Sequence, residues 1–151
     1  QEQKVGEHMG DKERIKRLVA YYIRLCGTAD PFKIARQLKI EVQFGPLGEY
    51  AGCYLFAKNH RCIFINNCIE GPELLFVMAH QLGHAIMHRK QNCYFLRNYT
   101  YLNSRVEREA NLFSAFMVIT NDFITEHSNY SSNDIAELYG CDYYTVESRL
   151  R

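Results

Sequence analysis

Between Asp11 and Cys26 the apolar positions Ile15, Leu18, Val19, Tyr22, Ile23 and Cys26 recur three and four residues apart. That is the spacing of one face of an α-helix, and Gly27 is placed to stop it. Asp30-Pro31 supplies an N-cap followed by proline at the first helical position, predicting a short helix to about Leu38. The period then changes to two. Ile40, Val42 and Phe44 fall on one side of a strand, and Gly45-Pro46 breaks it. Tyr50 to Ala57 and Arg61 to Asn66 are β-rich runs, joined by Lys58-Asn59-His60, a link of hairpin length. These three runs predict a small antiparallel sheet.

From Gly71-Pro72 onward the pattern is helical. Leu74, Leu75, Met78, Leu82, Ala85 and Ile86 form an apolar stripe reaching about His88. Lys90 to Asn103 reads as a connector. Ser104 to Ile119 is again helical, with Leu112, Ala115, Phe116 and Ile119 on one face, and two short helices, Ser131 to Tyr139 and Tyr143 to Leu150, flank Gly140. Helices, then strands, then helices give an α+β class rather than a wound parallel sheet. The expected architecture is a mainly helical single domain over residues 11–151. Its three-stranded antiparallel sheet packs against the helix that carries His80 and His84. Residues 1–10 are polar and are expected to be a disordered tail or an expression remnant, since residue 1 is Gln rather than Met.

Composition narrows the class. With 151 residues, one domain is the natural division, and 47% hydrophobic with 23% charged residues excludes disordered, collagen-like and coiled-coil chains. A formal net charge of +1 argues against a protein that neutralises many phosphates, so nucleic acid is not expected as a direct partner. No apolar run approaches the ~20 residues of a membrane span, and the first ten residues lack a signal-peptide core. None of the six cysteines forms a C-x-x-C pair; buried thiols in a reducing cytoplasm are the expectation. The basic run Lys12 to Arg17 reads as a solvated helix face.

The chemistry lies in His80-Gln81-Leu82-Gly83-His84. Histidines at i and i+4 sit on one helix face, where both imidazoles can reach one metal ion. In the zinc-peptidase motif H-E-x-x-H the residue after the first histidine is the glutamate that takes a proton from water and passes it to the leaving amine. Here it is Gln81, whose amide can form hydrogen bonds but cannot take the proton. The metal site should survive this exchange; general-base catalysis should not, a loss on the order of 10²–10⁴ in rate. A third ligand is sought in Glu107-Arg108-Glu109-Ala110-Asn111. Glu107 is the first choice and Glu109 the alternative, while Asn111, one turn beyond Glu107, could bond a ligand histidine. His88 lies eight residues from His80, roughly 80° further round the helix, and reads as a support behind a ligand or as structural. Tyr99 and Tyr101 read as part of an ordinary wet loop, with oxyanion stabilisation as the alternative. Two histidines and a glutamate form a known catalytic zinc set, and manganese could take a similar site.

These residues resemble a known family. His80-Gln81-Leu82-Gly83-His84-Ala85-Ile86-Met87-His88 is similar to the H-E-L-G-H-x-x-x-H segment of ImmA/IrrE-type metallopeptidases. Glu107-Arg108-Glu109-Ala110-Asn111-Leu112-Phe113-Ser114-Ala115 is similar to their E-x-E-A-N-x-F-A-A segment. The likeness extends from about Asp11 to Leu150. It implies a single-domain zinc endopeptidase of bacteria, phages or mobile elements that cuts a helix-turn-helix repressor and so relieves repression. It also implies that His80, His84 and Glu107 hold the metal. Gln81 departs from the family pattern, through an engineered exchange, favoured by the non-Met first residue, or through natural loss of the catalytic group. Phe116 to Thr120 departs too, where the family often ends in Leu-Leu-x-Pro. The rival readings are a metal-bound pseudo-peptidase that regulates a repressor or toxin by binding alone, and a DNA-binding module built on the C-terminal helix pair.

Overall fold

A computed structural model describes residues 2–96 and 104–151. The chain opens with two helices, α1 (Glu2–Cys26) and α2 (Pro31–Gln37). Three strands follow, β1 (Glu41–Gly45), β2 (Tyr50–Ala57) and β3 (His60–Asn66). After them come the helix α3 (Gly71–Met87), a short strand β4 (Cys93–Leu96) and four further helices. These are α4 (Arg105–Val118), α5 (Asn121–Glu126), α6 (Ser132–Tyr139) and α7 (Tyr143–Leu150). The α+β class is as expected. No described helix is long and apolar enough to cross a membrane.

The sheet departs from the expected three antiparallel strands. Among the described residues it has four strands in the order β1-β3-β2-β4, with β1 parallel to β3 and the other pairs antiparallel. The hairpin fixes β2 against β3, but an alternating run does not say which member of a hairpin an earlier strand joins. β1 takes the free edge of β3 and therefore runs parallel to it. β4 takes the free edge of β2; at four residues it is too short for alternation to announce. The hairpin turn is also tighter than expected. Ala57 pairs with His60, leaving a two-residue loop, and both Lys58 (φ 50°) and Asn59 (φ 63°) are left-handed, as a type I′ turn requires.

The helix starts follow their caps. Asp30 Oδ1 accepts from Phe32 N at 2.9 Å. Ser131 and Asp134 form a reciprocal capping box, and Gly140 (φ 66°) ends α6 in the left-handed conformation. α1 extends beyond the expected Asp11 start, through the residues read as a tail. α5, unassigned from the pattern, starts where Thr120 caps Phe123 N at 3.1 Å.

α3 is the axis of the core. Ten consecutive residues, Phe76 to Ala85, are buried, so the helix has no solvent side there and the expected single stripe is too narrow. β2 and β3 lie along it on the sheet side, and α2, α4 and α6 cover the rest. Around it pack Ile15 and Val19 of α1, Ile34 of α2, Tyr54, Ile63 and Ile65 of the sheet, and Phe113 and Met117 of α4. The buried face of α4 runs through Ala110, Phe113, Ser114 and Met117, whereas Leu112 and Phe116, expected on the inner face, are only partly buried. Arg61 ties the layers together, donating to Ala85 O at 3.2 Å and to Leu38 O at 3.0 Å.

Where α3 crosses the sheet the approach is close. A Cβ on Gly52 would stand 2.9 Å from Phe64 O and 3.2 Å from Val77 Cγ1. Backbone cannot yield there as a side chain can. Gly52→Ala is therefore expected to destabilise the fold by roughly 1–3 kcal/mol. Gly45→Ala, with nothing among the described residues within 4 Å of its Cβ position, should be neutral or gain up to about 1 kcal/mol from the lower conformational entropy of the unfolded chain. Chemical denaturation of the two variants checks this; equal losses would show that close approach at position 52 is not the constraint.

Candidate metal centre

The i, i+4 spacing on α3 brings the two imidazoles edge to face, with centroids 4.7 Å apart and Nε2 atoms 3.1 Å apart. Both rings are fully buried. α4 supplies the third group. It lies against α3 at Gly83, where an added Cβ would meet the Phe113 ring at 3.1 Å, and Ser114 Oγ donates to Phe76 O at 2.7 Å. This contact carries the first turn of α4 over the histidines. Glu107 Oε2 lies 2.9 Å from His80 Nε2, and Glu107 Oε1 lies 3.2 Å from His84 Nε2. Ligand atoms of His80, His84 and Glu107 all fall within 4.8 Å of one another.

Ser104-Arg105-Val106-Glu107 has the spelling of a capping box. Ser104 Oγ does accept from Glu107 N at 3.2 Å. The Glu107 carboxylate, however, turns to the histidines, and the box is made on one side.

His80 is held from two directions. Its Nδ1–H donates to Asn111 Oδ1 at 2.8 Å, which leaves Nε2 with a bare lone pair. Phe95 of β4 stacks on its ring at 4.1 Å and 27°. His84 Nδ1 lies 3.0 Å from His88 Nδ1, and His88 Nε2 lies 3.3 Å from Glu109 Oε1. Burial lowers the His84 and His88 basicities below the ordinary histidine value, in part against the neighbouring carboxylates. Burial pushes the Glu107 carboxyl up, but the facing imidazoles of His80 and His84 outweigh it and hold the group below the usual carboxylate range. Neutral imidazole and ionised carboxylate are the forms a metal ligand needs.

The donor set fits a divalent cation. Two buried nitrogens and a carboxylate converge with separations of 2.9–3.2 Å. Donors around a tetrahedral zinc ion stand roughly 3.3–3.5 Å apart, so little adjustment would seat one. Crowded lone pairs repel without a cation between them.

Gln81, next to His80, is fully buried, and neither Oε1 nor Nε2 has a hydrogen-bond partner among the described residues. An unsatisfied buried amide costs roughly 1–3 kcal/mol per group. Its polar atoms are thus available to a polar ligand at the site.

Among the residues singled out from the sequence, the structure groups His80, His84 and Glu107 and places Asn111 on His80 and His88 on His84. Glu109, the alternative ligand, is elsewhere: it contacts His88, Arg14 and Arg105. Tyr99 and Tyr101 lie outside the described residues. Phe95 was hidden in a stretch read as connector. Arg14 belongs to the run read as solvated, yet its guanidinium pairs with Glu109.

Residues 35–151 match the family described as IrrE N-terminal-like domain, Peptidase_M78. Over 138 residues the chain is 28% identical to "Uncharacterized immunity region protein 2" of Bacillus phage phi105, covering 89% of this chain and 87% of that protein. Over 143 residues it is 27% identical to "Metallopeptidase ImmA" of Bacillus subtilis (strain 168), covering 90% of this chain and 83% of that protein.

Purified protein should carry about one zinc ion per chain after loading. Glu107→Ala should lose it, and Asn111→Ala should weaken it about 10–100-fold by freeing His80. Elemental mass spectrometry with chelator competition measures both. Full zinc retention by Glu107→Ala would remove the carboxylate from the ligand set.

Proposed function

Since the chain belongs to the Peptidase_M78 family of IrrE N-terminal-like domains, a family with metallopeptidase members, we propose that it is built as a zinc-dependent endopeptidase acting on a protein. The substrate proposed is a helix-turn-helix repressor, whose cleavage relieves transcriptional repression in the cytoplasm. One observation carries the peptidase reading: His80, His84 and Glu107 converge in a buried corner where α4 crosses α3. The repressor is supported by a relative named for a phage immunity region and another named ImmA. The chain's own near-neutral charge favours a protein partner over direct contact with nucleic acid.

His80, His84 and Glu107 would hold the ion, with zinc ahead of manganese. A bound zinc ion supplies Lewis-acid polarisation of the scissile carbonyl and lowers the pKa of water. Asn111 and Phe95 fix the His80 ring so that its Nε2 lone pair keeps one direction. Position 81 is where the family motif has its general base. Gln81 can orient water or a peptide group through its amide but cannot accept the proton, so hydrolysis stalls at proton transfer.

Gln81 also favours a second reading, a metal-bound pseudo-peptidase that regulates a repressor or toxin partner by holding it uncut. The Gln81→Glu variant separates the two. It should keep the parent's zinc content and cut a cognate helix-turn-helix repressor about 10²–10⁴-fold faster than the parent. Cleavage is read by gel and intact mass. A zinc-loaded Gln81→Glu variant that binds the repressor and leaves it whole would decide for the pseudo-peptidase.

A further inference from the structure

Each ligand histidine must present a bare Nε2, and the two solve this differently. For His80 the neighbour at Nδ1 is the amide oxygen of Asn111, which only accepts. For His84 the neighbour at Nδ1 is another imidazole, His88, at 3.0 Å. A neutral imidazole can donate or accept, so this contact alone does not decide which ring carries the bridging proton. Were it on His88, His84 would carry its own proton on Nε2, aimed at Glu107 and His80.

Two carboxylates compete for the protons. Glu107 Oε1, 3.2 Å from His84 Nε2, accepts a hydrogen bond there until a cation takes its place. Glu109 Oε1 lies 3.3 Å from His88 Nε2 and favours the opposite arrangement. In that arrangement His88 donates from Nε2 and has its lone pair on Nδ1. His84 then donates from Nδ1, and its Nε2 is bare. The chain of contacts is shielded, with His88 side-chain exposure of 9% and Glu109 of 13%. Glu109 is itself fixed from outside. Its Oε2 accepts from the Arg14 guanidinium of α1, and Arg105 Nε lies 3.8 Å from its Oε1. Asp11 holds both arginines, at 3.6 Å from Arg14 and 3.4 Å from Arg105. Arg14 and Asp11 precede the segment that matches the family.

We infer that Glu109 is a positioning residue which, through His88, selects the His84 tautomer that can bind metal, and that Arg14 of α1 sets the direction of this relay. The inference rests on the metal-site reading above. It assigns Glu109 a role distinct from ligation.

The isosteric exchange Glu109→Gln tests it. Arg14 only donates, so the carboxamide oxygen stays with Arg14 and its NH₂ faces His88. His88 must then accept at Nε2 and carry its proton on Nδ1. His84 must accept at Nδ1, and a proton appears on His84 Nε2 with no change in total charge of the two rings. Zinc affinity should fall about 10–100-fold in chelator competition. Adding Arg14→Met frees the carboxamide to turn its oxygen to His88, so the double variant should recover most of that loss. A merely structural Glu109 predicts a further loss instead.

Long-range ¹H–¹⁵N NMR reads the His88 tautomer directly at neutral pH. Nε2–H is expected in the zinc-loaded parent and Nδ1–H in metal-free Glu109→Gln. A zinc-loaded parent with His88 protonated on Nδ1 overturns the inference, as does parental zinc affinity in Glu109→Gln. The parent spectrum needs no substitution, so a variant that fails to fold leaves the test standing. A parent that takes up no zinc strikes the metal reading, whereas a zinc-loaded parent matched in affinity by Glu109→Gln strikes only the relay.

Discussion

Helices α3 and α4 come together at a position without a side chain. At Gly83 even a Cβ would press on Phe113 at 3.1 Å, and anything larger would hold the helices apart. The close crossing lets Ser114 reach the Phe76 carbonyl and brings the first turn of α4 over the histidines of α3. A widening of about 1 Å would take Glu107 out of reach of one imidazole or the other, since hydrogen-bond and ligand geometries tolerate only a few tenths of an ångström. Tight apolar packing thus sets the geometry of polar groups that do not themselves hold the helices in place.

Around the site the protein arranges polarity in shells. Innermost are two imidazoles and one carboxylate, beside Phe76 and Phe95. Behind them come groups of fixed or directed polarity, Asn111 and the His88–Glu109 pair. Outermost are Arg14, Arg105 and Asp11, which keep contact with water. Charge is most costly to bury without partners: the two shielded carboxylates face imidazoles and arginines, and the remaining charges lie where solvent still stabilises them. Surface ion pairs of this kind add little to stability; their importance here is orientation.

Much of this could be read from the residues. The histidine spacing, the acidic segment that follows, the helix starts at Asp30, Ser104 and Ser131 and the β2–β3 hairpin all rest on local chemistry, and local chemistry is written in adjacent letters. The parallel β1–β3 pair was not legible, because alternation fixes a face and says nothing of the neighbour. β4 was missed because Cys93 to Leu96 is too short to show a period. The burial of α3 on every side was underestimated, since His80, Gln81 and His84 look like a polar face until the second helix is placed over them. Arg14 is exposed, as the basic run suggests, but its pairing with Glu109 was not legible: the two lie 95 positions apart, a separation at which sequence carries no pairing signal.

The half-made cap at the start of α4 ties the site to the weakest part of its own helix. A first turn is where helices fray, and a glutamate three residues after a serine ordinarily helps to pin it. Here that carboxylate faces the histidines, leaving Ser104 to hold the turn. The carboxylate proposed as the third ligand therefore stands on a first turn, the part of a helix that opens most readily. A cation gripped by Glu107 would damp that opening, and each opening would release one of the three groups that grip it. With an ion bound, amide exchange in this one turn would be coupled to metal exchange, and the residence time of the ion would become a property of helix fraying.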